Sequence, residues 1–135
     1  MSVNDGTEPV ADEELLYRRI PVSTGWYSSA GLSPEAFDPR KDEISGLSVY
    51  RAKYKNLEEV AKGKGKQGYF VAVLRAGDLR KLGIDVDPKP GLDDPGHAEL
   101  PGLTCLNRSE PITQERKLLL ARSALEIRGP FVSSQ

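Results

Sequence analysis

The side chains with chemistry to offer are few. There is one histidine, His97, and one cysteine, Cys105, among 135 residues. Cys105 lies between Leu103 and Leu106 and reads as a small buried hydrophobe. As the sole cysteine it can form no intramolecular disulfide. His97-Ala98-Glu99 stands where a glycine- and proline-rich loop enters an extended segment, which turns His97 and Glu99 to one face. A metal site would need a second histidine, a Cys/His cluster or several converging carboxylates. The pattern points instead to a structural histidine that closes the loop by hydrogen bonds, and no metal site is expected. No G-x-S-x-G elbow is present, and nothing in the sequence pairs a serine with His97 as its base.

The arginines carry more. Arg18 and Arg19 are neighbours inside an apolar strand, so alternation sends them to opposite faces and one must turn inward. A guanidinium there requires a carboxylate, carbonyls or an anionic ligand. Glu99 is the internal candidate partner for Arg18. The external candidate is an anion met by Arg18 and Arg51, with Ser48, Tyr50 and His97 nearby. Gly63-Lys64-Gly65-Lys66-Gln67-Gly68 spells G-x-G-x-x-G, but a helix precedes it and a strand follows. That is the reverse of the dinucleotide-binding order, so the match is rejected. The segment reads as a solvated basic loop whose Lys64 and Lys66 are available to an anion. Six bases fall between Arg51 and Lys66, and five acids between Asp85 and Glu99. If both segments line one cleft, they suit a ligand or partner of mixed charge.

The elements that must position these residues are short. Leu15–Ile20 reads as a strand ended by Pro21, with Trp26 and Tyr27 as packing anchors in the loop beyond. Ser33 caps a single helical turn through Phe37, with Pro34 first. In Leu47–Arg51, Leu47, Val49 and Arg51 face one side and Ser48 and Tyr50 the other. Asn56 and Glu59 make a near capping box for a short helix. Tyr69–Leu74 is almost wholly apolar and is expected inside the sheet, covered on both faces. A helical turn from Asp78 ends at Gly83, and Ile84–Val86 is a short strand. His97–Leu100 and Leu103–Leu106 are extended, Ser109–Ala124 is the longest helix, and Leu125–Arg128 is an edge strand. This order lacks a regular βαβ rhythm. It predicts an α+β fold: a small mixed or antiparallel sheet with two or three short helices.

Composition sets the frame. Apolar residues are 38% and charged residues 29% of the chain, enough for one core. The formal net charge of −1 argues against a protein whose task is gripping a nucleic-acid backbone. No apolar run approaches the ~20 residues of a membrane span. Met1 to Glu14 has neither the basic nor the apolar region of a signal peptide, so a cytoplasmic location is expected. Residues 1–14 are acidic and poor in apolar side chains, and predict a disordered arm. Residues 15–128 form a single domain and 129–135 a flexible tail.

Leu15 to Pro21, with its Leu-Tyr-Arg-Arg-Ile-Pro, the Leu-Ser-Val of residues 47–49 and the Pro-Gly-His-Ala of residues 95–98 resemble a family of short bacterial proteins. That resemblance implies an intact domain and no particular chemistry. A remoter one is to toxin-type ADP-ribosyltransferases, which use an arginine, a serine and a glutamate on successive strands. Arg18, Ser48 and Glu99 stand in that order. The resemblance implies that Arg18 grips the pyrophosphate of NAD, Ser48 braces Glu99, and Glu99 stabilises the oxocarbenium-like centre as nicotinamide leaves. Tyr17, Tyr50 or Phe70 would stack on the nicotinamide. The chain departs from that family in having Leu47-Ser48-Val49-Tyr50 in place of a Ser-Thr triplet, and His97 where a second acid often stands. The expectation is therefore a binding or interaction module for an anionic ligand or a protein partner. The alternative is a small NAD-dependent transferase, or another enzyme acting on a phosphorylated ligand; the sequence itself specifies no cofactor.

Overall fold

Alternation along Leu15–Pro21 (β1) buries Leu16, Arg18 and Ile20 on one face and leaves Leu15, Tyr17 and Arg19 more open on the other. A computed structural model describes residues 5–62 and 68–131. After β1 come two short strands, Tyr27–Ser28 (β2) and Gly31–Leu32 (β3), then Leu47–Arg51 (β4), Leu57–Lys62 (α1) and Tyr69–Arg75 (β5). Ala76–Lys81 (α2), Asp87–Pro88 (β6), His97–Leu100 (β7), Pro111–Ser123 (α3) and Glu126–Phe131 (β8) complete the described chain. The fold is α+β. Its main sheet has six strands in the order β6-β7-β4-β1-β5-β8, and each neighbouring pair is antiparallel.

Two layers cover this sheet. On one face Leu16, Ile20, Leu47, Val49, Leu74 and Leu100 pack against Phe37, Leu79, Leu103 and Leu120. On the other, Val60 and Ala61 of α1 close over Tyr69 and Val71. The β5 strand therefore lies between β1 and β8 with apolar contacts on both sides, as its composition requires. The capping box forms as written: Asn56 Oδ1 accepts from Glu59 N at 2.8 Å, and Asn56 N donates to Glu59 Oε1 at 3.0 Å. Ser33 Oγ likewise accepts from Glu35 N at the start of the 3-10 turn Pro34–Phe37.

Several expectations are corrected. Ile84 and Val86 are buried but form no strand; Ile84 N instead donates to Leu79 O at the end of α2. Leu103 N donates back to Leu100 O in a turn, so Leu103–Leu106 is not extended. Cys105 is half-buried, with its thiol 3.5 Å from Lys41 O. In α3 the run Leu118-Leu119-Leu120 cannot share one side at 3.6 residues per turn. Thr113, Lys117 and Leu120 face inward and Leu118 outward. Lys117, though buried, donates to Glu35 (3.0 Å) and Asp38 (2.9 Å), tying α3 to the 3-10 turn. The last strand continues past Arg128 to Phe131, which pairs with Tyr69; residues 132–135 lie outside the described residues.

The largest correction concerns the acidic arm. Residues 5–14 are not free: they pack against Arg51 at the end of β4, against Tyr54, and onto the start of α2. Asp12 O accepts from Gly77 N and Glu14 O from Ala76 N, at 2.7 and 3.0 Å. Val10 is 3% exposed. Gly6 has a φ of +92°, and a Cβ there would lie 2.1 Å from Pro95 O, so only glycine fits. The cause is Arg51. It projects from the core face of β4 with 0% exposure and needs counter-charge, which Glu8 and Glu14 provide. Composition alone counts these carboxylates as solvating and misses the cation they neutralise. Residues 1–4 lie outside the described residues.

Candidate functional site

The β1–β4 ladder stops early, and this opens the site. The two strands pair at Leu16–Arg51 and Tyr17–Tyr50. Arg18 would then stand opposite Val49, and the next hydrogen-bonded pair in register would be Arg19 and Ser48, but there two side chains replace the ladder. Ser48 N donates to Glu43 Oε2 at 2.8 Å, and Ser48 O accepts from Arg18 Nη1 at 2.9 Å. Arg18 and Glu43 join each other at 2.8 Å, both almost fully buried. Arg18 Nε also donates to Ala36 O, and Glu43 Oε1 accepts from Arg40 N. The ion pair thus acts as a wedge that satisfies the freed backbone groups and holds the strands apart. Burial pushes the Glu43 carboxyl up, but the Arg18 charge and the hydrogen bonds outweigh it and hold it below the usual carboxylate range.

A cleft of about 440 Å³ lies in the gap. Arg18, Glu43 and Ser48 form its inner wall, and Arg19, Tyr50 and Tyr69 one rim; Arg40 and Asp42 come from the loop before β4. The Arg19 guanidinium stands 5.4 Å from the Tyr50 ring centre and 5.7 Å from that of Tyr69. It donates to the Tyr50 hydroxyl at 3.3 Å. Such a stack orients the cation while leaving it charged toward the cleft. Arg40 leans on Trp26 at 5.9 Å. Among the described residues neither Arg19 nor Arg40 has an ion pair.

Behind Ser48 is His97. The two stand on the same face of adjacent strands, diagonal to one another, because Ser48 pairs with Glu99 and Tyr50 with His97. Ser48 Oγ is 3.1 Å from His97 Nε2, and His97 Nδ1 is 2.9 Å from Lys89 O. A carbonyl only accepts, so Nδ1 carries the proton and Nε2 of the neutral ring accepts from the Ser48 hydroxyl. His97 does close its loop, since Lys89 N donates to His97 O as well. It also meets a serine, which the sequence alone does not reveal: the pairing depends on the β4–β7 register across 49 residues.

The sequence-derived site residues divide accordingly. Arg18, Ser48 and Tyr50 meet at the cleft, and His97 touches it through Ser48. Glu99 is not the partner of Arg18. Its carboxylate accepts from Ser45 Oγ at 2.9 Å, and it does not line the cleft. Arg51 is not available to a ligand: its guanidinium donates to both oxygens of Glu14, to Glu8 and to the carbonyls of Gly6, Glu8 and Pro9. Lys64 and Lys66 lie outside the described residues. The basic and acidic segments do meet, through Lys55–Asp94 at 3.2 Å. The sequence reading missed Glu43 and Arg40. The usable signal was an inward-facing Arg18 that demands a carboxylate, and Glu43 is the acid of the preceding loop next to β4.

Among the described residues no group of three or more His, Cys, Asp and Glu side chains could hold a metal ion. No described helix is long and apolar enough to cross a membrane. Comparison of the chain with family models, with curated proteins and with solved structures gives no match.

Proposed function

We propose that this protein binds a small anionic ligand, bearing phosphate or carboxylate, in the cleft between β1 and β4. One observation carries the reading: Arg19 and Arg40 line the cleft with no ion pair among the described residues, against the single carboxylate of Asp42. The Arg18–Glu43 pair cancels internally, so the lining has an excess of one positive charge. Each guanidinium offers a planar fork of donors suited to phosphate or carboxylate oxygens. Tyr50 and Tyr69 flank Arg19 and fix where its guanidinium points. Asp42 favours a ligand that also has hydroxyls to donate. Transfer of ADP-ribose through Arg18, Ser48 and Glu99 has less support, because Glu99 is engaged with Ser45 and stands outside the cleft lining.

The test is calorimetric titration with inorganic phosphate, pyrophosphate and ADP-ribose, on the unaltered chain and on Arg19→Ala/Arg40→Ala. Neither guanidinium has an ion pair among the described residues, so the double variant should stay folded with only a small loss of melting temperature and lose at least tenfold in affinity. Equal affinity in the double variant, or no uptake of any of the three anions, would refute the reading.

A further inference from the structure

We propose that Ser48 is a nucleophile activated by His97, and that the cleft carries out acyl transfer or hydrolysis on esters or thioesters bearing an anionic group. The anionic group rests on the binding reading above; the nucleophile rests on separate geometry. Three features of that geometry converge. The base has the right tautomer, because the Lys89 carbonyl takes the Nδ1 proton and makes Nε2 the nitrogen of the neutral ring that can accept one. The base is held still: Lys89 N donates to His97 O at 2.9 Å, and the Tyr50 ring lies 5.8 Å from the imidazole on the adjacent strand. The nucleophile faces both ways, toward His97 at 3.1 Å and into the cleft whose wall it forms.

The reaction follows from those contacts. Ser48 Oγ bonds to the substrate carbonyl carbon while its proton passes to His97 Nε2, and the carbonyl π pair moves to oxygen. Arg19, already at the rim, supplies positive charge for that oxyanion, since Ser48 N is committed to Glu43. The oxyanion collapses, the carbon–oxygen or carbon–sulfur bond of the leaving group breaks, and the leaving group takes the proton from Nε2. Water then attacks the acyl-Ser48 ester, giving its proton to Nε2, and Nε2 returns a proton to Oγ as the acid departs. No other reactant is needed.

The experiment combines covalent labelling with kinetics. A fluorophosphonate should phosphonylate the full-length protein once, at Ser48, with loss of fluoride, as read by intact-mass and peptide mass spectrometry. The chain should hydrolyse the p-nitrophenyl monoester of succinic acid faster than p-nitrophenyl acetate; Arg40→Ala should erase that preference, and Arg19→Ala should slow both esters. Ser48→Ala should abolish both labelling and turnover. His97→Asn is the informative variant. Its amide nitrogen falls where Nδ1 stood and can still donate to Lys89 O, preserving the loop, yet it provides no base, and the rate should fall at least 100-fold at an unchanged melting temperature. Absence of labelling, labelling at another residue, or an unchanged rate in His97→Asn overturns the proposal. Anion affinity measured on Ser48→Ala separates the two readings. Retained binding with no wild-type acylation leaves the cleft an anion site without chemistry, whereas lost binding in the unaltered chain removes the anionic substrate class instead.

Discussion

Glu14→Gln should be the most telling single change in this protein, although it lies in a segment whose composition reads as an unstructured arm. Arg51 is fully buried, and Glu14 meets it as a fork, with Nε to Oε1 at 3.0 Å and Nη2 to Oε2 at 2.9 Å. Glu8 is the weaker partner, at 3.3 Å and with its side chain 25% exposed. Glutamine keeps the length and one acceptor but turns an amide donor toward the guanidinium and removes the charge. An uncompensated buried cation costs about 3 kcal/mol at the low end, which applies because Glu8 and three carbonyls remain. For a domain of this size that is a fall of roughly 10 °C in melting temperature. The loss should come from the pair, so a double-mutant cycle decides it. Arg51→Met removes the cation, and in that background Glu14→Gln should cost almost nothing, giving a coupling of about 2–3 kcal/mol. Urea denaturation at pH 7 of the four proteins measures it. Additivity of the two changes within ~0.5 kcal/mol, or a Glu14→Gln variant as stable as the unaltered chain, would refute the claim that residues 5–14 are clamped through Arg51.

Two further outcomes are expected. Acid should loosen the fold through the same carboxylates. Hydrogen bonds from the Tyr54 hydroxyl and Lys53 hold the Glu8 carboxyl down to about 2, against an ordinary 4.5. Burial works to raise Glu14, but its Arg51 hydrogen bonds prevail and leave it lowered. A depressed folded-state carboxyl contributes stability that is fully present above its unfolded value and lost as pH falls through the folded one. Urea midpoints should therefore hold from pH 7 to about 5 and drop steeply from there toward pH 2, with a shallower drop in Glu8→Gln. Separately, Val71→Asp should unfold the domain. Val71 is 0% exposed under α1, and an unpaired buried carboxylate costs several kcal/mol, comparable to the whole stability of a small domain. A cooperative far-ultraviolet melt at the unaltered midpoint would contradict this.

Local order was legible in the residues themselves. The strand Leu47–Arg51 follows from alternation, Leu15–Pro21 from an extended run that Pro21 ends, and Tyr69–Arg75 from its nearly unbroken apolar run, and the caps at Ser33 and Asn56 from hydrogen bonds reaching two and three residues along the chain. These depend on neighbours in the chain, and neighbours are what a sequence displays. So does the deduction that Arg18 or Arg19 must turn inward, because a strand has only two faces. Which acid answers each arginine was decided elsewhere. Glu43 reaches Arg18 across 25 residues and Glu14 reaches Arg51 across 37. Coulomb attraction between side chains carries no sequence signature, and any of the chain's 20 acids satisfies it equally until the backbone path is fixed. The same holds for Ser48 and His97. Each is ordinary on its own strand, and only the β4–β7 register sets them 3.1 Å apart, since a slip of one residue would send either side chain to the opposite face.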